Sequence, residues 1–283
     1  MLVVYRHTLF FMKLSRRFPF LHSASIWRYR TLRWFQWVIF RRLATEHRSQ
    51  ALPYKVTSHE SVLLRKLGDA DMRLQHNKVT NLKIASKKID GVLIRPGETF
   101  SFWRLVGWPT ARKGYVTGML LSNGTVKEGI GGGLCQSANL LYWMALHSPL
   151  VVRERHRHSY DIFPDSGRVL PFGTGAAVYY NYVDLQFYNP TDSTFQINIG
   201  VNETHLHGEI RSDNMAPISY KILERDHRFL RSKKTGKVFR ENAIFRQSFD
   251  KRTGNMLSEE LLYRNHCETL YPLPASMPVV DIA

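Results

Sequence analysis

The chain has 283 residues, of which 43% are hydrophobic and 22% are charged. These fractions exclude a chain that is disordered throughout, and the length is enough to bury a sizeable core. Two cysteines, Cys135 and Cys267, are too few for a disulfide framework, so the unusual feature is a formal net charge of +17.

The first fifty residues carry much of this charge, because they hold ten Lys or Arg residues against one acid, Glu46. Basic residues interleaved with Trp and Phe are typical of a segment on an anionic membrane surface, of a nucleic-acid-binding segment, or of a partly disordered leader that packs a few aromatics on the domain. Nucleic acid ranks last, because no nucleic-acid fold is visible. We predict that residues 1–50 form a basic, aromatic leader that contacts an anionic membrane surface.

The same segment contains no stretch that resembles a secretory signal or a membrane span. Its longest apolar stretch, residues 34–40, has seven residues, whereas a spanning helix needs about 20. We therefore expect a cytoplasmic protein that is peripheral to the inner membrane face.

Residues 51–95 carry apolar side chains at helical spacing over 60–74 and 82–89, which predicts a helical segment. Asn123-Gly124 predicts a hairpin turn. A glycine-rich loop then precedes a predicted central helix over 134–147, which Pro149 closes.

The chain beyond residue 150 favours strands. We predict strands over 150–160, over 176–180 with 182–188, and a hairpin of 195–201 with 204–211. Short strands follow from 219 to 263, with turns at Thr235-Gly236 and Thr253-Gly254. The predicted fold class is α+β, with N-terminal helices followed by a mostly antiparallel sheet that packs one central helix. The predicted core domain covers 96–215, and a β-rich extension over 216–283 packs on it.

Cys135 stands out because it begins the central helix directly after three glycines, Gly131, Gly132 and Gly133. A helix N-terminus stabilises anions and so lowers the pKa of a thiol. Glycines allow a substrate to approach the backbone, so these three and Gln136 are candidate substrate-binding residues.

Candidate partners for the thiol follow in the chain. His156 and His158 share one face of the predicted strand, and Asp184 lies on the next one. A nucleophilic thiol needs a base, and the base needs an orienting group. Cys135, His156, His158 and Asp184 are therefore the candidate catalytic residues.

Other interpretations of these residues stay open. A lone cysteine at a helix start is usually a packing residue, and the glycines serve a tight turn or bind an anion equally well. Two histidines with Cys135 or Asp184 are also a possible zinc ligand set. No phosphate loop, dinucleotide fingerprint or zinc-finger spacing appears, so we expect no cofactor and no resident metal.

The combination of several motifs resembles the VanW family. These motifs are Arg95–Phe102, Gly129–Gln136, the region from Glu154 to His158, Val183–Leu185 and the turn Asn189–Asp192. The resemblance spans nearly the whole chain, and it favours His158 over His156 as the base.

The resemblance implies a bacterial accessory protein of glycopeptide (vancomycin) resistance in a cell-wall context. We expect it to act on, or bind, peptidoglycan or a lipid-linked precursor. In a thiol amidase or transpeptidase-like enzyme, Cys135 would attack an amide carbonyl and His158 would take the proton. The alternative is a non-catalytic module that binds a cell-wall precursor or a membrane surface.

Overall fold

The computed structural model describes residues 19–39, 42–65, 71–122, 124–165, 169–274 and 276–282. These residues form four α-helices and fourteen strands. The helices are α1 (Pro19–Ile39), α2 (Met72–Ile89), α3 (Phe102–Val106) and α4 (Cys135–Leu146). The strands are β1 (Tyr54–Val62), β2 (Val92–Ile94), β3 (Thr99–Ser101), β4 (Thr117–Ser122), β5 (Thr125–Ile130), β6 (Val151–Glu154), β7 (Tyr160–Asp161), β8 (Gln186–Tyr188), β9 (Phe195–Val201), β10 (His205–Ser212), β11 (Ile218–Ser232), β12 (Val238–Asp250), β13 (Met256–Thr269) and β14 (Val279–Ile282).

The hydrophobic core lies between helices α2 and α4 and an antiparallel sheet of order β1-β10-β9-β2. Helix α4 is apolar on most of its surface, and Leu141 and Met144 are fully buried. Burial of each such side chain contributes about 2 kcal/mol. The predicted central helix and the α+β class are therefore confirmed.

The C-terminal extension forms a second sheet of order β14-β11-β12-β13-β7. Its turns lie at Thr235-Gly236 and Thr253-Gly254, as predicted. The prediction of short strands was wrong, because β11 has 15 residues, β12 has 13 and β13 has 14. Each strand pairs with its neighbour along most of its length, with register shifts between Arg225 and Arg228, at Ile244-Phe245 and at Ser248-Phe249, so it continues from one turn to the next.

A buried ion pair joins this extension to the rest of the chain. The Arg240 guanidinium on β12 lies 3.2 Å from the Asp161 carboxylate on β7, and the two side chains are 3% and 4% exposed. Asp161 also accepts a hydrogen bond of 2.9 Å from the Tyr271 hydroxyl, and Asp165 lies 2.5 Å from the other end of the guanidinium. Such a pair is costly to break on one side, because the remaining charge stays buried.

Three local predictions were wrong. The strands predicted over 176–180 and 182–188 are reduced to β8, with isolated bridges that join His156 to Ala177 and Tyr179 to Val183. Residues 54–62 form the edge strand β1 instead of the predicted helix. This strand pairs with β10, and over its second half its side chains alternate between exposed and half-buried positions, which is the period of a strand and not of a helix. The strand predicted over 150–160 ends at Glu154, where the register with β8 shifts. Beyond that point only an isolated bridge joins His156 to Ala177. The hairpins β4-β5 and β9-β10 are confirmed, although Asn123 of the first turn lies outside the described residues.

Helix α1 belongs to the predicted leader, of which residues 1–18 lie outside the described part of the chain. Its inward face carries Tyr29, Arg30, Arg33 and Trp37. The Arg30 Nε donates to the Tyr180 carbonyl at 3.0 Å, and the Trp37 side chain packs against the core. The outward face carries large apolar side chains and the exposed Arg28, whereas Arg30 and Arg33 point toward the protein.

Candidate functional site

The glycine loop, residues 131–133, is enclosed by the protein itself. A Cβ atom on Gly132 would lie 2.1 Å from the carbonyl carbon of Gly118 on β4, and one on Gly133 would lie 2.2 Å from Cγ of Lys78. The Asn81 side chain also donates to the Gly132 carbonyl at 2.9 Å. This close packing accounts for glycine at positions 132 and 133 without a ligand.

Gln136 was predicted to contact substrate, and its amide is used inside the fold. Its Nε2 donates to the Ser61 hydroxyl and to the Val62 carbonyl, both at 2.9 Å. These bonds tie the first turn of α4 to the edge strand β1.

Cys135 is the first residue of α4, as expected, but its surroundings differ from those of a reactive thiol. The sulfur lies 4.0 Å from the Val178 carbonyl oxygen, and the side chain packs against the hydrophobic core. Burial raises the pKa of the Cys135 thiol, and this effect outweighs the backbone hydrogen bonds that favour the thiolate. The expected lowering of the pKa by the helix N-terminus is therefore wrong.

His156 and Glu154 form a polar cluster with helix α1. The Glu154 carboxylate accepts from Arg33 Nη2 at 2.6 Å, from His156 Nε2 at 3.0 Å and from the Asp184 backbone N–H at 3.0 Å. Burial would raise the pKa of Glu154, but the hydrogen bond from His156 and the charge of Arg33 hold it below its usual value. Glu154 is thus the centre at which α1, β6 and the segment before β8 meet.

Asp184 is fully buried and has its own set of hydrogen-bond donors. Its carboxylate accepts from the Ser101 hydroxyl at 2.6 Å, the Trp103 N–H at 3.0 Å, the Leu185 N–H at 2.9 Å and the Gln186 amide at 3.0 Å. Burial raises the pKa of Asp184 despite these bonds. The carboxylate holds α3 and the ends of β3 and β8 together.

His158 lies elsewhere, beside the C-terminal sheet. Its backbone carbonyl is 3.7 Å from the sulfur of Cys267 on β13. Burial lowers the pKa of His158, and the nearby Arg155 charge lowers it further. Across the described ranges, no hydrogen bond or ion pair joins Cys135, His158 and Asp184, so the predicted chain order does not become a hydrogen-bonded triad.

Comparisons with known proteins give the family. The model of the family described as VanW like protein matches residues 77–211, which contain the glycine loop and α4. The chain is also 34% identical over 274 residues to the vancomycin B-type resistance protein VanW of Enterococcus faecalis, covering 95% of this chain and 98% of that protein. The chain belongs to the VanW family.

A second relative shares only part of the VanW-family chain. The uncharacterized protein YoaR of Bacillus subtilis is 32% identical over 109 residues, which is 38% of this chain and 34% of that protein. No solved structure matches the chain.

Two residues of the VanW-family core were missed by the sequence reasoning. Asn81 is fully buried and fixes both Val116 and Gly132, and Lys78 is buried with its Nζ donating to Gln75 at 2.6 Å. Burial, with the charge of Arg65, lowers the pKa of Lys78 to about 8. A signal was present, because both polar residues share a face of α2 with the apolar residues Leu74, Leu82 and Ile89.

The described part of the VanW-family chain shows neither a metal-binding cluster nor a membrane-spanning helix. Within the described segments, no group of three or more His, Cys, Asp or Glu side chains is placed to hold a metal ion. No helix found there is long and apolar enough to cross a bilayer.

Proposed function

We propose that this protein is an accessory protein of glycopeptide resistance that binds a lipid-linked cell-wall precursor at an anionic membrane surface, without thiol catalysis. The resistance context rests on the name and full-length similarity of the Enterococcus faecalis relative. The membrane surface rests on one observation, the outward apolar face of α1.

The outward face of α1 carries six large apolar side chains that the described part of the chain leaves exposed. Their exposed fractions run from 47% for Leu32 to 71% for Ile39. The six residues are Trp27, Leu32, Trp34, Phe35, Val38 and Ile39. A contiguous exposed apolar patch marks an interaction surface rather than an ordinary solvated face.

A lipid surface fits this patch better than a protein partner does, because of the basic composition of the segment that carries it. Residues 1–50 hold ten basic residues and one acid, and anionic headgroups attract each nearby Lys or Arg by about 1 kcal/mol. Trp is also favoured at the boundary between headgroups and acyl chains. The helix would lie in the plane of the interface, since it does not span.

The inward face of α1 explains how such a helix stays on the protein. Arg33 pairs with Glu154 at 2.6 Å, and the rings of Tyr29 and Tyr182 stack with centroids 6.4 Å apart. These contacts orient α1 so that its apolar side faces outward. The orientation is what a peripheral membrane protein requires.

The surroundings of Cys135 favour binding over thiol chemistry. The pKa of a catalytic thiol is normally lowered by a nearby cation or base, whereas that of Cys135 is raised by burial, and its hydrogen-bond partner is a carbonyl oxygen. We therefore place the function in recognition, and we treat the thiol amidase as the alternative to be tested.

Vesicle co-sedimentation tests the membrane proposal. The full chain should bind vesicles of phosphatidylglycerol and phosphatidylcholine, and Trp34→Ser with Phe35→Ser should weaken that binding by about tenfold or more, because each buried apolar side chain contributes about 1 kcal/mol or more. Met215→Ser is the matched control, since Met215 is 72% exposed but lies outside α1. Equal binding by the double variant and the control would refute the proposal.

Alkylation by iodoacetamide tests the thiol alternative. Because the pKa of Cys135 is raised, we expect the folded chain to react at pH 7 at least about tenfold more slowly than the unfolded chain. Cys135→Ser should keep the resistance phenotype in a complementation assay. Rapid alkylation of the folded chain, together with loss of the phenotype in Cys135→Ser, would instead support the thiol amidase.

A further inference from the structure

A shallow pocket of about 340 Å³ lies where the family core meets the C-terminal sheet. Its lining is basic and aromatic, and consists of Arg155, His156, Arg157, Tyr263 and Arg264. We propose that this arginine pocket binds a phosphoryl group, as phosphate or as a pyrophosphate ester. The proposal goes beyond membrane association and does not depend on it.

Arg155 is the most firmly held member of the arginine pocket. Its guanidinium donates to the Gly175 carbonyl at 2.9 Å and also to the Gly173 carbonyl. It contacts two tyrosine rings, 4.8 Å from the centroid of Tyr142 and 4.6 Å from that of Tyr263. Carbonyls and ring faces orient the guanidinium without neutralising it.

Arg157 is held in a similar way by neutral groups. Its Nη1 donates to the Arg264 carbonyl at 3.3 Å and to the Asn265 side-chain oxygen at 3.2 Å. No carboxylate of the described chain lies within ion-pair distance of Arg155 or Arg157. Two positive charges therefore stand close together without an acidic partner.

The acids nearest to the pocket do not cancel this charge. Asp226 lies 3.5 Å from Arg264, but the two side chains are 64% and 65% exposed, and an ion pair this exposed is weak. Glu154 is already engaged by Arg33 and His156. The pocket thus retains at least two uncompensated guanidinium groups.

A phosphoryl group suits this arrangement better than a carboxylate does. Planar guanidinium forks match phosphate oxygens in pairs, and a phosphate or pyrophosphate carries two or more negative charges where a carboxylate carries one. A pocket of about 340 Å³ holds such a group with part of an attached sugar. The tyrosine ring of residue 263 offers an apolar face for that attachment.

The pocket is completed by both parts of the chain. Arg155 and Arg157 belong to the family core, whereas Tyr263 and Arg264 belong to β13. The C-terminal sheet therefore contributes two of the five lining residues as well as a cover for the core.

Isothermal titration of the full chain with inorganic pyrophosphate, in lipid-free buffer, tests the site. We expect saturable binding that weakens as salt increases. Arg157→Gln and Arg264→Gln should each reduce the affinity by about tenfold, because each variant removes a charge-assisted hydrogen bond to the phosphoryl group. Arg252→Gln, at the turn between β12 and β13, is the control and should leave the affinity unchanged.

Further measurements separate a loss of binding from a loss of folding, and a soluble phosphoryl ligand from a lipid headgroup. Arg157→Lys keeps the charge, so it should retain more affinity than Arg157→Gln while both melt like the native chain. If the native chain binds UDP and Arg157→Gln does not, the ligand of the pocket is a soluble phosphate ester. If instead Arg157→Gln loses binding to phosphatidic acid vesicles, the ligand is a lipid headgroup. No binding of pyrophosphate, equal affinity for acetate, or affinity that Arg157→Gln and Arg264→Gln leave intact would each overturn the proposal.

Discussion

The glycine loop with α4 and the arginine pocket differ in how the chain satisfies their polar groups. In the first region every polar group singled out from the sequence has its partner inside the fold: Gln136 binds β1, and the Gly132 carbonyl binds Asn81. In the second region Arg155 and Arg157 are held by neutral oxygens alone. Unbalanced charge on fixed side chains is therefore a better sign of a ligand here than a thiol beside glycines.

The same contrast extends to accessibility. Cys135 is half-buried and packs against the hydrophobic core, whereas Arg157, Arg264 and His156 are exposed at the mouth of the pocket. Substitutions in the first region should therefore change stability, and those in the pocket should change binding. Four variants test the structural side of this contrast.

Gly132→Ala should have the largest effect. The added Cβ would lie 2.1 Å from a backbone carbon of Gly118, which no side-chain rotation relieves. We expect the free energy of unfolding to fall by more than about 4 kcal/mol in urea denaturation. Gly236→Ala has open space and only a positive φ of 69°, so it should cost about 1 kcal/mol. Similar losses in the two variants would contradict the packing role of Gly132.

Asp184→Ala should follow, with a loss of about 3 kcal/mol, because four buried donors lose their acceptor. Asp184→Asn should lose less, since the hydroxyl of Ser101 and the amide of Gln186 are able to reverse their hydrogen bonds. Thermal and urea unfolding measure both. If Asp184→Ala unfolds like the native chain, the carboxylate does not hold α3 in place.

Lys78→Met should change the pH dependence of stability. The pKa of Lys78 is lowered from 10.5 to about 8 in the folded chain, so the unfolded chain binds the proton more tightly between these values. The free energy of unfolding of the native chain should therefore rise by about 3 kcal/mol relative to Lys78→Met between pH 8 and 10.5. Parallel pH profiles for the two chains would show that Lys78 is solvated.

Arg33→Gln should have the smallest effect, about 1 kcal/mol, confined to α1. It removes the ion pair of 2.6 Å with Glu154, so the pKa of Glu154 should move up toward its usual range. Hydrogen exchange should show loss of protection over residues 23–39. Arg28→Gln on the exposed side of α1 is the control. Unchanged exchange in Arg33→Gln would mean that the aromatic contacts alone hold the helix.

Elements with strong local signals could be predicted from the sequence. Helix α4 follows from its apolar run, its glycine-rich start and Pro149, and the hairpin turns follow from their Asn-Gly and Thr-Gly pairs. Strand β1 could not be told from a helix, because it is a half-exposed edge strand without a regular alternation over its full length.

Distances between segments could not be predicted. The order Cys135, His158, Asp184 is compatible with a triad, yet the chain turns after Glu154 and carries His158 to the C-terminal sheet. The orientation of α1 could not be predicted either, because the sequence of a helix does not by itself tell which of its faces contacts the protein. The pocket at Arg155 and Arg157 could not be predicted, because their neutral partners, Gly173, Gly175 and Asn265, lie elsewhere in the chain.

The buried pair of Arg240 and Asp161 has a consequence for how this family diverges. The family model ends at residue 211, so Asp161 lies within the shared core while its partner lies in the extension. A family member that lost or exchanged the extension would leave the buried Asp161 carboxylate without the Arg240 guanidinium. Positions 161 and 240 should therefore be inherited as a pair, and a family member without the extension should tolerate a neutral residue at the position of Asp161.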